Sequence, residues 1–223
     1  MEKQDWDLAF DPATGLRRRQ EDVAGGRILP SSRWPNFFSR VVAKLQWDEQ
    51  RHARFFDRVA AEVLKLPGET KEERGVAARE IAPPGIVDLF ETQLPAMSAE
   101  MAEGRADLND GMALYHMTLE GMVLSAGQRA LLENLDVGAL PGVRQGVYHV
   151  ELDERWHIGF GLRCLIDRKP PADLIDGIMA RAEESAEAWG DALPDHIREA
   201  IVPMARRRLA YVTRQIDQQA AAA

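Results

Sequence analysis

The chain has 223 residues, of which 45% are hydrophobic and 29% charged, with a formal net charge of −8 at pH 7 and one cysteine. This composition is typical of a protein with a substantial core, and the acidic balance argues against nucleic acid or an anionic membrane as the main partner. One cysteine excludes an intrachain disulfide, and no stretch reaches the ~18 apolar residues of a membrane span. The N-terminus lacks a basic start and an apolar run, so we expect a cytoplasmic protein without a secretory signal.

Hydrophobic residues recur with the helical period along the chain, and alternating runs typical of strands are scarce. The sequence therefore predicts an all-α protein without strands that forms one domain over residues 1–223. In chain order, the predicted helices cover residues 16–29, 36–66, 71–81, 86–103, 107–135, 141–168, 172–189 and 195–218. Proline and glycine mark most of their ends, as at Pro67-Gly68, and Pro95 is expected to kink the fourth helix.

Two segments carry the same Asp-Glu-x-x-His pattern, at residues 48–52 and 153–157. A helix advances about 100° per residue, so side chains at positions i and i+3 project from one side. Glu49 with His52, and Glu154 with His157, can therefore each aim a carboxylate and an imidazole at one point. Burying an unpaired carboxylate costs several kcal/mol, so such a pair needs a metal ion or an ion pair as compensation.

Two such pairs, with one more glutamate from each of two other helices, make the dimetal-carboxylate site of ferritin-like bundles. Glu120 is the lone carboxylate in an apolar stretch and is the predicted third ligand. The ligand before the first motif is Glu21, with Asp22 as the alternative. Four glutamates and two neutral histidines carry a charge of −4, which two divalent ions neutralise. Oxygen ligands with imidazoles suit iron or manganese, and such a pair of ions can activate O2.

A bundle without metal is the alternative at this stage, with the motif acids and histidines paired to Arg51 and Arg155. The methionines at 112, 117 and 122 recur every five residues, a spacing that does not trace one α-helical face. His116, His149 and His196 show no partner spacing and are interpreted as structural or exposed. Cys164 is interpreted as a small core residue and not as a nucleophile, and the arginine run 206–208 as a solvated face.

Three segments resemble the ribonucleotide reductase small-subunit superfamily: QWDEQRHARFF at 46–56, YHMTLEGMVLSAGQ at 115–128 and DERWHIGFG at 153–161. Within that superfamily, the ligand-binding oxidases are the most similar, since they also have a tyrosine five residues before the third-helix glutamate. The resemblance covers residues 21–168 and implies a ferritin-like helical bundle of the reductase small-subunit type. The ligand sets that it implies are Glu21, Glu49 and His52 for one metal and Glu120, Glu154 and His157 for the other, with Glu49 and Glu154 bridging.

The same resemblance implies an oxidase that uses a manganese/iron or diiron pair and O2 for a two-electron oxidation. It implies a long-chain fatty acid as the bound ligand, a homodimer, and an ether cross-link between the ring oxygen of Tyr115 and the β-carbon of Val23.

Two alternatives to the oxidase are carried forward. A ribonucleotide reductase small subunit usually has a radical-forming tyrosine one turn after its first histidine ligand, where this chain has Phe56. A non-catalytic or iron-storage bundle of the ferritin type would need a cage-forming surface and an entry channel, and the sequence shows neither.

Overall fold

The computed structural model is helical apart from one short hairpin. It describes residues 8–11, 16–19, 34–135 and 138–221, with side chains for residue 41 and from residue 43 onward in those ranges. The chain divides into two compact units, Met1–Ala78 and Arg79–Ala223, which we describe in turn. Among the described helices, none combines the length and the apolar character needed to cross a membrane.

The hairpin consists of strands β1 (Leu8–Asp11) and β2 (Leu16–Arg19), which pair antiparallel with residue 8 opposite residue 19. The expectation of no strands, with a helix from residue 16, is therefore wrong over residues 16–19, and residues 20–29 lie outside the described part. Pairing with β1 supplies backbone hydrogen bonds to β2 and outweighs the helix propensity of its arginines.

The first unit contains α1 (Trp34–Arg58), which continues through a π-helical turn (Val59–Val63), and most of α2 (Lys71–Ile81). Arg74 donates two hydrogen bonds to Asp57, at 2.8 and 2.9 Å, and so joins α2 to the end of α1. Its guanidinium also donates to two carbonyl oxygens of the connecting turn. The helices predicted at 36–66 and 71–81 are confirmed within three residues at each end.

The second unit contains seven α-helices in addition to the end of α2, with shorter π and 3-10 segments among them. They are α3 (Pro84–Asp88), a π-helical turn (Leu89–Gln93), α4 (Leu94–Ala102), α5 (Leu108–Met112), a π-helix (Ala113–Leu124), α6 (Ser125–Asn134), α7 (Pro141–Arg168), α8 (Ala172–Ala188), a 3-10 turn (Gly190–Ala192) and α9 (Asp195–Ala221). The all-helical class is thus confirmed. The second π turn ends at Gln93, two residues before Pro95, which has no N–H to donate to an α-helical partner.

The π-helix Ala113–Leu124 lies at the centre of the second unit and packs against α7, α8 and α9. Ten of its twelve residues are buried. The hydroxyls of Thr118 and Ser125 donate to the carbonyl oxygens five residues earlier, at 3.3 and 2.7 Å, which follows the i→i+5 spacing of this helix type. The π-helix is a rare conformation, and the short π-bulges in which it mostly occurs are often found at functional sites.

A capping box fixes the start of the helical segment that contains the π-helix. The Asp107 carboxylate accepts hydrogen bonds from the backbone N–H groups of Asn109 and Asp110, and the Asp110 carboxylate accepts from the Asp107 N–H at 2.8 Å. Arg168, at the end of α7, donates to the Asn109 side chain at 2.9 Å. The cap therefore sets both the first turn and its position against α7.

We predict that Asp107→Ala lowers the free energy of unfolding by about 1 kcal/mol, because two N–H groups lose their acceptor. The measurement is urea denaturation followed by circular dichroism. The control is Asp176→Ala, an exposed position within α8, which should not lower stability, since exposed sites usually change it by less than about 0.5 kcal/mol. Equal losses in both variants would show that the cap does not matter.

Candidate metal centre

Three predicted ligands meet in the buried interior of the second unit. Glu120 lies on the π-helix, Glu154 and His157 lie on α7, and their relative exposures are 1%, 2% and 0%. Each offers one ligand atom, and these atoms lie within 4.8 Å of one another. Nδ1 of His157 is 3.3 Å from Oε1 of Glu120 and 3.4 Å from Oε2 of Glu154. Two atoms that each bind one ion at ~2.1 Å are at most about 4.2 Å apart, so both distances fit a shared ion.

The hydrogen bonding of Glu120 supports a cation at this point. Within the part of the chain that the structure describes, Oε1 of Glu120 has no hydrogen bond although it is fully buried. A buried acceptor without a donor costs about 1–3 kcal/mol, and more when it is charged. Glu120 and Glu154 together carry −2 when ionised, which one divalent ion balances. A hard or borderline metal ion therefore fits the donor set of two carboxylates and one imidazole.

His116 joins this group and was missed by the sequence interpretation. Its Nδ1 lies 2.5 Å from Oε2 of Glu120, and the side chain is 2% exposed. The sequence interpretation found no partner spacing for His116, whereas the structure gives it a partner in Glu120. A usable signal was present, because a histidine four residues before a glutamate is an i,i+4 pair. That pattern differs from the Glu-x-x-His spacing of the two motifs.

His196, which also shows no partner spacing in the sequence, is exposed as expected and has a partner. Nε2 of His196 lies 2.7 Å from Oε2 of Glu133 on the surface of the second unit. The hydrogen bond from His196, followed by that from Arg129, lowers the pKa of the Glu133 carboxyl. This exposed pair holds α9 against α6 and lies outside the buried group. His149 is exposed, as expected.

The first motif lies on α1 in the first unit. Nδ1 of His52 is 3.7 Å from Oε2 of Glu49, so the two side chains project from one side of the helix as their spacing predicts. Asp48 is buried, and its carboxylate accepts hydrogen bonds from Lys44 and from Arg51, the latter at 2.7 Å. His52 is also buried. The predicted ligand Glu21 and its alternative Asp22 lie outside the described residues.

The arginines of the two motifs pair with acids on their own helices. Arg51 donates to Asp48, and Arg155 donates to Glu151 at 2.6 Å. In these two hydrogen bonds the acceptors are therefore Asp48 and Glu151, and not the predicted ligands Glu49 and Glu154.

Tyr115 borders the buried group from the start of the π-helix. Its ring is half-buried and packs against a core cluster formed by Leu89, Leu114, Leu119 and Val123. The ring centroid lies 5.1 Å from that of His116 in an edge-to-face arrangement. Val23, its predicted cross-linking partner, lies outside the described residues, so the cross-link stays a prediction.

Arg208 supports the π-helix from α9. It is 9% exposed, and its guanidinium donates to the carbonyl oxygen of Gly121, the residue after Glu120. Burial, with a smaller contribution from the neighbouring Arg207, lowers the pKa of Arg208 to about 10. The interpretation of residues 206–208 as a solvated face is therefore wrong for Arg208, which α9 turns inward, while Arg206 and Arg207 are exposed.

Cys164 lies on α7 and is 3% exposed. Burial, with a smaller contribution from Asp167, raises the pKa of its thiol to about 12. The reactive thiolate is thus strongly disfavoured at neutral pH. The interpretation of Cys164 as a core residue is confirmed.

Comparisons with protein-family models, with curated proteins and with solved structures found no match to this chain. The likeness to the ribonucleotide reductase small-subunit superfamily is therefore an interpretation of the sequence. The buried Glu/His group that can hold a metal ion stands on the structure itself.

Close packing around His116 gives a test of this geometry. A Cβ added at Gly161 would lie 2.3 Å from Cβ and 2.9 Å from Cγ of His116. We predict that Gly161→Ala lowers the free energy of unfolding by about 1–3 kcal/mol, because overpacking forces buried groups apart. The measurement is urea denaturation.

The matched control is Gly177→Ala in α8, where an added Cβ meets nothing within 4 Å. Both changes gain helix propensity, so Gly177→Ala should raise stability by about 0.5–1 kcal/mol. If Gly161→Ala were stabilising to the same extent, His116 would not pack against α7 as described.

Proposed function

We propose that this chain is an O2-activating dimetal-carboxylate oxidase with a ferritin-like fold. Its ligand is a long-chain fatty acid or a similar hydrophobic molecule, and its reaction is a two-electron oxidation. The observation that carries the proposal is the buried group of Glu120, Glu154 and His157, in which Oε1 of Glu120 has no hydrogen bond from any described residue. Buried carboxylates at this separation are costly without a cation, which argues for a metal ion over a purely structural role.

The repeated motif supports a pair of ions. Glu49 and His52 repeat the spacing and the flanking aspartate of Glu154 and His157. We assign Glu49, His52 and either Glu21 or Asp22 to the second ion. Each half of the predicted set then contains two carboxylates and one imidazole, so each half carries −2 and is neutral with one divalent ion.

A manganese/iron or diiron pair, when bound, supplies electrons to O2 and stores oxidising power for the substrate. The chain supplies the ligands and the dry surroundings. The two elements that carry these ligands also carry fully buried apolar side chains, among them Met117 and Met122 on the π-helix and Ile158 on α7. Exclusion of water by these side chains protects a strong oxidant from side reactions.

Tyr115 and Val23 are the proposed internal site of oxidation. Joining the Tyr115 ring oxygen to the Val23 β-carbon removes one hydrogen from the hydroxyl and one from the carbon. The chain loses two electrons and two protons, and O2 is the electron acceptor. The motif of residues 115–128 supports this assignment, since the tyrosine stands five residues before Glu120. The fatty-acid ligand and the homodimer rest on the same resemblance.

We predict that anaerobically purified chain binds about two equivalents of Fe(II), or one each of Mn(II) and Fe(II), and develops a charge-transfer absorption band when air is admitted. Glu120→Ala and His157→Ala should each lower the bound metal to one equivalent or less, because a ligand is lost from a three-ligand set. The measurements are elemental analysis and absorption spectroscopy.

Glu151→Gln is the matched control, because Glu151 lies on the same helix as Glu154 and pairs with Arg155. It should bind as much metal as the unaltered chain. Continued uptake far beyond two equivalents would indicate iron storage, and metal content below one equivalent would reject the centre altogether. Reduction of ribonucleotides with a reductase large subunit would indicate the reductase alternative.

We predict that intact-mass spectrometry after aerobic metal loading finds a loss of two hydrogens, about 2 Da, with Tyr115 and Val23 peptides joined. Tyr115→Phe removes the ring oxygen and should abolish this loss while the bound metal stays at two equivalents. Tyr148→Phe, at an exposed tyrosine of α7, should retain the loss. An unchanged mass in metal-replete, oxidised protein would contradict the cross-link and leave the oxidase itself standing.

A further inference from the structure

We propose that His116 is a positioning residue that holds one oxygen of Glu120 and leaves the other, Oε1, as the single oxygen with which this glutamate binds metal. His116 has this role only if the chain binds metal, so the inference rests on the proposed function. It adds a residue outside the six predicted ligands and a binding mode for Glu120.

The contact between His116 and Glu120 is short enough to be a hydrogen bond. Nδ1 of His116 and Oε2 of Glu120 are 2.5 Å apart, and both side chains are at most 2% exposed. At this distance two lone pairs would repel each other, so one of the two groups must donate. An imidazole N–H donating to a carboxylate gives a charge-assisted hydrogen bond, which is stronger than a neutral one. Oxygen Oε2 is therefore engaged.

The two oxygens of Glu120 have different surroundings. Oε2 faces His116, whereas Oε1 faces Nδ1 of His157 at 3.3 Å and has no hydrogen bond within the described residues. The group of atoms that can share an ion therefore lies on the Oε1 side. A metal ion bound there takes one oxygen and leaves the hydrogen bond to His116 intact.

Packing on several sides fixes the His116 ring. The Phe160 ring stands perpendicular to it at a centroid distance of 5.6 Å, and Tyr115 contacts it edge-on at 5.1 Å. Gly161 of α7 lies so close that an added Cβ would be 2.3 Å from Cβ of His116. A ring held in this way can hold a ligand carboxylate in one orientation, as residues behind metal ligands commonly do.

One-oxygen binding has a consequence for the metal. A carboxylate that binds through both oxygens fills two coordination positions, whereas Glu120 restricted to Oε1 fills one. The position that stays open is available to O2 or to the carboxylate of a fatty acid. His116 would thus set how many sites the ion offers to its substrates.

A matched pair of variants tests this role. Asparagine and leucine have similar shapes, and asparagine places an N–H donor near the position of the imidazole Nδ1. We expect His116→Leu to weaken Co(II) binding by about 10- to 100-fold and His116→Asn to restore most of it. Calorimetry measures affinity, and the visible spectrum of bound Co(II) reports the coordination number. Circular dichroism establishes that both variants fold. If His116→Leu does not fold, His116→Phe, which keeps a ring against Phe160, replaces it.

The outcomes separate this inference from the proposed function. A higher Co(II) coordination number in His116→Leu, with rescue by His116→Asn, supports the positioning role. If the unaltered chain and His116→Leu bind Co(II) with the same affinity and the same spectrum, His116 has no such role, although the metal centre stands. If the unaltered chain binds no Co(II), Fe(II) or Mn(II), the proposed function and this inference both fail.

Discussion

The burial of two carboxylates beside a histidine is the constraint on which the second unit depends. Glu120 and Glu154 have almost no exposure, and each lies within 3.4 Å of Nδ1 of His157. Removing such charges from water costs several kcal/mol per ion after relaxation. Arg208 is also buried, and its guanidinium donates to the backbone carbonyl oxygen of Gly121. Ionised acids buried here would lower the free energy of unfolding, and a bound cation would offset that cost.

The π-helix decides which side chains face this interior. In an α-helix, residues five apart point in different directions, so the spacing of Met112, Met117 and Met122 traces no single face. Backbone bonds in a π-helix join residues i and i+5, and Met117 and Met122 are both fully buried. Tyr115 and Glu120 are also five residues apart. The wider turn thus brings a tyrosine, a histidine and a glutamate into one buried segment.

Most helices were predictable because their ends are chemically marked. Pro67-Gly68 follows the helical segment that begins with α1, and Pro170-Pro171 follows α7, so that each helix ends there. The Asp107 cap starts the helical segment that contains Glu120. The motif glutamates and histidines were predictable because spacing alone puts them on one side of a helix. Strand β2 was not, since its pairing with β1 is a contact between segments. Burial of Arg208 likewise depends on a contact between α9 and the π-helix. The i,i+4 spacing of His116 and Glu120 is visible in the sequence, but their burial is not.

The proposed division of the ligands between two ions would account for the two copies of the motif. One Glu-x-x-His pair carries −1, which leaves a divalent ion with excess positive charge. With Glu120 added to Glu154 and His157, the ligand set carries −2. The ligands and one divalent ion together then have no net charge, in an interior where excess charge is costly. Applied to Glu49 and His52, the same balance requires one more carboxylate. In the proposed second site that carboxylate would come from Glu21 or Asp22, the two acids that the sequence offers before the first motif. Charge balance therefore sets the number of carboxylates that each proposed ion needs, and it does so without regard to which of the two acids is used.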